Sequence, residues 1–69
     1  MTNDELKQAL TEQCPVTAYI PLMGHIEYAY VSAIVYRRSE SGGIKVRAQL
    51  MDKNLMSVSE IAAEDISRA

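Results

Sequence analysis

Two stretches of alternating residues, Ile26 to Arg38 and Ile44 to Asp52, flank the segment Ser39-Glu40-Ser41-Gly42-Gly43, and this pairing restricts the fold more than anything else in the chain. In the first stretch Ile26, Tyr28, Tyr30, Ser32, Ile34 and Tyr36 share one face of an extended backbone, with Glu27, Ala29, Val31, Ala33, Val35 and Arg37 on the other. β-Branched and aromatic side chains dominate it, which suits a pleated surface. From Val31 to Val35 both faces are apolar or small, as in a strand half-buried at its ends and fully buried at its centre. A bent strand in a small barrel has this pattern. The second stretch places Ile44, Val46, Ala48 and Leu50 inward and Lys45, Arg47 and Gln49 outward, so its register is well specified. Gly42 and Gly43 supply a turn that needs positive φ, and the pair predicts an antiparallel hairpin.

The rest of the chain is short and reads as packing for that hairpin. Thr2 followed by Glu5 is a capping-box pattern, and the early acids suit the positive end of a helix dipole. Leu6, Ala9 and Leu10 recur at helical spacing, which predicts a helix over about 4–13 that ends before Pro15. Three turns are not stable alone, so Leu6 and Leu10 must cover an end or a face of the sheet. Residues 16–20 predict a short strand, and Pro15 and Pro21 at its two ends place it at a sheet edge. Leu22 and Met23 then stand in a turn, either folded back on the core or exposed as part of a docking patch. The tail predicts a strand over about 56–61 and a helical turn over about 63–66; a helix starting at Ser57 or Ser59 competes, since Ser57 and Glu60 form a second capping-box pattern.

With 69 residues the expectation is one domain. A chain of that size buries only about 60% of the surface its unfolded form exposes. The core has to be built without Phe or Trp, so stability is expected to be modest and association to help it. A composition of 48% apolar and 23% charged residues is that of an ordinary soluble globular chain. No apolar run approaches the roughly 20 residues that span a bilayer, and the acidic start is unlike a signal peptide. A cytoplasmic protein with no membrane partner is expected. The lone Cys14 leaves no internal disulfide, and one Cys with one His makes no structural zinc site within the chain, so no cofactor is expected.

The net charge of −2 gives no overall field for nucleic acid, but the charge is uneven. Residues 36–53 hold five cations against two anions, a balance of +3, while both ends of the chain are acidic. Two binding classes follow. In the first, a non-enzymatic protein-interaction module uses Tyr19, Leu22 and Met23 with the basic residues Arg37, Arg38, Lys45 and Arg47, for an unknown protein partner or for self-association. In the second, those cations track a nucleic-acid backbone while Tyr28, Tyr30 and Tyr36 stack on bases, which requires the tyrosines to be exposed beside Arg37 or Arg47. Such a small excess of charge makes the second class the weaker one. Cys14 and His25 have neither an orienting third group nor a Gly-rich oxyanion loop, so a nucleophile and base pair is not expected. The carboxylates of the tail and the first helix, Glu60 among them, read as solvated surface.

In Glu5-Leu6-Lys7-Gln8-Ala9-Leu10, Cys14-Pro15-Val16, Ile26-Glu27-Tyr28 and Val31-Ser32-Ala33-Ile34-Val35-Tyr36-Arg37, the chain resembles small accessory proteins of bacterial phages and integrative mobile elements. It departs from their pattern around Tyr19-Ile20-Pro21-Leu22-Met23, which is longer than a tight turn requires. The resemblance implies a binding module that alters a host or phage partner. The expected fold is α+β and β-rich, a small antiparallel meander or partly open SH3-like barrel with a short N-terminal helix.

Overall fold

The computed structural model describes all 69 residues. The capping box forms at its start: Thr2 Oγ1 accepts from the Glu5 N–H at 3.2 Å, and Glu5 Oε1 accepts from the Thr2 N–H at 2.8 Å. Helix α1 then runs over Asn3–Glu12 and buries Leu6 and Ala9. It stops at Gln13, whose backbone is left-handed (φ 56°) with its N–H on the Ala9 carbonyl. The Gln13 side chain donates to Leu10 O at 2.7 Å and to Val31 O at 3.2 Å. One residue thus closes the helix and ties it to the sheet.

Six strands follow, β1 (Val16–Ile20), β2 (Gly24–Tyr28), β3 (Tyr30–Arg38), β4 (Ile44–Met51), β5 (Val58–Ala62) and β6 (Ile66–Arg68). They form two antiparallel three-stranded sheets, ordered β2-β1-β6 and β3-β4-β5. The molecule is a small compact α+β domain, rich in strand, and its sheets do not close into a barrel. Strand β1 is central, not at an edge: it pairs with β2 from Val16↔Tyr28 to Ile20↔Gly24 and with β6 from Val16↔Arg68 to Ala18↔Ile66. The two prolines bracket the strand without entering it, so neither removes a ladder hydrogen bond. A second difference concerns the tail. Beyond β5 a 3-10 turn, Ala63–Asp65, leads into β6, and no helix starts at Ser57 or Ser59. With three residues and one apolar side chain, β6 has almost no periodicity to betray it.

The long ribbon is interrupted twice. Tyr28 is buried, Ala29 breaks the strand, and the next sealed residue is Val31, three positions on instead of two. At Ser32 a bulge then shifts the register between the Val31↔Leu50 and Ala33↔Gln49 pairs, and the Ser32 hydroxyl donates to Gln49 O at 3.2 Å. Each extra residue moves the inward set to the other parity, so the inward side chains run Ile26, Tyr28, Val31, Ile34 and not along one even-numbered face. On β4, Ala48 and Leu50 are sealed and Val46 is half-buried, whereas Ile44 lies exposed opposite Arg38. Ile34 and Val46 pack against the core without being sealed by it.

The core has ten residues, led by Leu6, Val16, Val31 and Leu50, and contains no buried polar or charged residue. Its perimeter is fastened by longer-range polar contacts. Tyr36 donates its hydroxyl to Asn3 Oδ1 at 2.6 Å, the Met1 amino group donates to Ala63 O and Ile66 O at 2.6 Å each, and Arg68 meets Glu12 at 3.6 Å. These contacts hold the start of α1 over β3 and the end of the chain against the helix.

Candidate docking surface

The basic hairpin is closed by the Ser39 to Gly43 turn, where Gly42 has φ 94° and Ser39 O and Oγ accept from Gly42 and Gly43. Its cations are not all free. Glu60, reaching from β5, takes Arg37 on both oxygens at 3.0 and 3.3 Å and Arg47 Nε at 2.8 Å, while Arg47 Nη2 also donates to the Glu60 carbonyl at 3.2 Å. The two guanidinium groups draw the Glu60 carboxyl below its ordinary range, Arg37 most strongly. The same contact holds Arg37 more firmly protonated. Only Arg38 and Lys45 remain as unpaired cations on the hairpin. The carboxylate shared by the pair lies 13 positions from Arg47; nothing local in the sequence marks it, and only the β4–β5 register, Gln49↔Glu60 and Arg47↔Ala62, brings it there.

The tyrosines do not form a platform beside these cations. Tyr28 is core and Tyr30 is half-buried; Tyr36 is exposed with its hydroxyl engaged by Asn3. Cys14 and His25 are also apart. Cys14 is half-buried beyond the Val16↔Tyr28 pair, with Arg68 Nη1 3.5 Å from its sulfur, while His25 lies toward the other end of the β1–β2 hairpin, its ring edge-on to Tyr19 at 5.4 Å. A surface depression of about 480 Å³ lies between Asn3, Lys45 and Glu64, with Val46 and Ala62 among its walls.

The opposite end of the ribbon is apolar. Ile20 to Met23 form a tight turn closed by the Met23 N–H on Ile20 O at 3.0 Å, with Pro21 at its second position and Leu22 at its third. That third position carries φ 72°, the value a type II turn requires and one normally met by glycine or asparagine. Leu22 is fully exposed, and Met23 and Tyr19 are exposed beside it. The segment that looked too long for a tight turn is therefore one, because Tyr19 and Ile20 belong to β1.

A second loop repeats the arrangement. Between β4 and β5, the Leu55 N–H returns to Asp52 O and the Asp52 N–H bonds Ser57 O, both at 3.0 Å. The Asp52 carboxylate accepts from the Ser57 hydroxyl at 2.7 Å and the Met56 N–H at 3.1 Å, which lower its pKa in that order. Leu55 has φ 58°, and Leu55, Met56 and Val58 are all exposed. This loop follows β4, which runs antiparallel to β3, so it emerges beside β2. Two contacts fix it there: Ala29 donates to Met51 O at 2.8 Å, and Lys53 forms an ion pair with Glu27. From Glu27 the strand leads to the Leu22 turn within five residues, about 17 Å.

Of the residues singled out from sequence, Tyr19, Leu22 and Met23 thus gather at one end of the β2–β3 ribbon, and Arg37, Arg38 and Lys45 at the other, with Arg47 further along β4. Leu55 and Met56 stand on the loop fixed beside Glu27, partway along the ribbon, and Val58 lies opposite Met51. Leu-Met recurs at 22–23, 50–51 and 55–56, and since Leu50 is fully buried the dipeptide itself does not mark the exposed turns. Comparison with protein-family models, curated proteins and solved structures returns no match. No helix is long and apolar enough to cross a membrane.

Proposed function

We propose that this chain is a small, non-enzymatic protein-interaction module, a cytoplasmic accessory protein of a phage or mobile element, that docks a protein partner on its apolar end. Tyr19, Leu22 and Met23 form one half of that contact and Leu55 and Met56 the other. The fold that carries it is read as a partly open SH3-like barrel; the bent β2–β3 ribbon shared by both sheets and the 3-10 turn before β6 support that reading.

The observation that carries the proposal is the backbone of the exposed leucines. Left-handed geometry disfavours an L-residue with a side chain by roughly 1–2 kcal/mol, and a branched apolar residue there is an outlier. Leu22 and Leu55 both accept that geometry while their side chains lie in solvent. Leu22 gains no burial within the chain and Leu55 little, and exposed apolar patches mark contact sites. The test is capture of host proteins by tagged chain, comparing wild type with Leu22→Gly/Leu55→Gly. Specific partners held by wild type and lost from the folded variant are expected; an unchanged set of captured proteins would remove this surface from the function.

The nucleic-acid reading rests on Arg38 and Lys45, the hairpin cations free of Glu60. Two phosphate contacts give only weak binding. No mobility shift with mixed DNA and RNA at low salt is expected, and a shift abolished by Arg38→Glu/Lys45→Glu would favour this reading over the first.

A further inference from the structure

We infer that the open end of β4 is a docking slot for an extended peptide segment of apolar-acidic-apolar pattern, which adds there as a short antiparallel strand. The slot is separate from the Leu22 and Leu55 turns. The first ground is an incomplete ladder. Strand β4 pairs with β3 as far as Arg38↔Ile44, but with β5 only as far as Arg47↔Ala62, because the chain then leaves the sheet in the 3-10 turn Ala63–Asp65. Along a strand the backbone groups of successive residues point to opposite neighbours. Gly43 O and Met51 O accept from Ser39 and Ala29 on the side of β3, whereas the Asp52 N–H bonds Ser57 O on the side of β5. The odd-numbered residues of β4 therefore bond β3, and Ile44, an even one, turns its N–H and C=O to the side where β5 has already ended. Unpaired edge groups are a template for another chain, and main-chain bonds of this kind supply the affinity in strand addition.

The second ground is the hollow beside that edge. The depression of about 480 Å³ opens where β5 turns away, with Met1, Val46, Ala62 and Ala63 as its apolar walls, and it falls within the roughly 300–1,000 Å³ of ligand-binding clefts. Val46 is only half-buried, so an apolar side chain laid beside it completes its cover. Charge is the third ground. Side chains alternate between the faces of a strand, so a segment that sets apolar residues against Ile44 and Val46 sets the residue between them against Lys45. Around the slot three cations, Arg37, Lys45 and Arg47, stand against two anions, Glu60 and Glu64, a balance of +1. Lys45 is the cation among them with no carboxylate in ion-pair range, and it lies directly opposite Arg37. Like charges across a ladder repel, and an acid placed beside them relieves this. The register itself names such a residue: continued straight, β5 would bring Glu64 opposite Lys45, and the 3-10 turn carries it off.

Heteronuclear NMR of the isotope-labelled full chain, titrated with a peptide blocked at both ends and built on Val-Glu-Val, tests the inference. Saturable shifts are expected at the amides of Ile44 to Arg47 and Ala62 to Glu64, with slowed hydrogen exchange at the Ile44 N–H and a dissociation constant between about 10 µM and 1 mM. The matching Val-Lys-Val peptide should bind at least about tenfold more weakly, and in Lys45→Glu the preference should reverse. N-methylation of both valines, whose N–H groups face β4 in this register, should abolish binding, while N-methylation of the glutamate, whose N–H points away, should spare it. No saturable shift at about 5 mM peptide, equal binding of the two peptides, an unreversed preference in Lys45→Glu, or indifference to valine methylation would each overturn the inference. So would the same amides responding to a single-stranded oligonucleotide and not to the peptide, which would give the slot to nucleic acid. The titration should be unchanged in Leu22→Gly/Leu55→Gly, so its result is independent of docking at those turns.

Discussion

Leu22 and Leu55 occupy backbone positions that glycine would fill with less strain, and the consequence is measurable apart from any partner. Relief of left-handed strain, roughly 1–2 kcal/mol, is offset by the greater freedom of glycine in the unfolded chain, about 0.4–1 kcal/mol. Leu22→Gly and Leu55→Gly should each leave the monomer as stable as before or more so, by up to about 1 kcal/mol, equivalent to about 4–8 °C in a domain this size. Thermal melts at low protein concentration check this; a clear loss of stability would mean that the leucines serve the fold. Leu50 is the opposite case, fully buried in the core. Leu50→Ala should lose about 2–5 kcal/mol, comparable with the whole stability of a small domain, and urea titration should find the variant largely unfolded. The oddity of two apolar residues at 22–23 was visible in the sequence, because Pro21 and Gly24 mark a turn around them. The matching pair at 55–56 was not. It follows a strand and precedes another, and nothing local says that Asp52 folds the loop back on itself.

At the scale of single elements, the helix was legible because its signals are local: a cap, an acidic first turn and a proline just past its end. Thr2→Ala removes the hydroxyl of the capping box and should lower stability by about 1 kcal/mol, seen as reduced helical signal and an earlier melt. The sheet was less legible wherever a bulge or a partner strand decides the outcome. Ser32 and Ala29 reset which side of the ribbon faces in, and no alternation rule foresees an extra residue. Strand β5 is docked through Glu60 onto Arg37 and Arg47, a contact between three strands that the sequence presents as unrelated surface charges. Because the folded pKa of Glu60 is lowered, its contribution is present above the ordinary carboxylate value near 4.5 and disappears as pH falls through the lowered one. Melting temperatures of wild type and Glu60→Gln should therefore differ at pH 7 and converge toward pH 3. A gap that persists in acid would show that the carboxylate charge is not what β5 depends on.

For the molecule as a whole, the class of fold followed from strand pattern and length, while the distribution of function over its surface did not. A single surface joining Tyr19, Leu22 and Met23 to the basic hairpin was a reasonable expectation from a linear chain. The bent ribbon separates them, and Glu60 engages two of the four cations that made the hairpin look like a binding pole, offsetting one of their charges. What replaces that picture is a ribbon with the exposed Leu22 turn at one extremity, Arg38 and Lys45 at the other, and the Leu55 loop beside Glu27 between them. The pairing of β1 with β6 carries a further implication, for how the molecule comes into being. Val16 to Ala18 meet partners some fifty residues downstream, so a growing chain leaves one flank of β1 bare until Ile66 to Arg68 have been made. Contacts of such long separation are slow to find. The β3–β4 hairpin, closed by a five-residue turn, can fold early and wait. Completion of the other sheet is thus a late event in the life of each new molecule, and until then the edge that β6 will cover is open to any stray strand nearby.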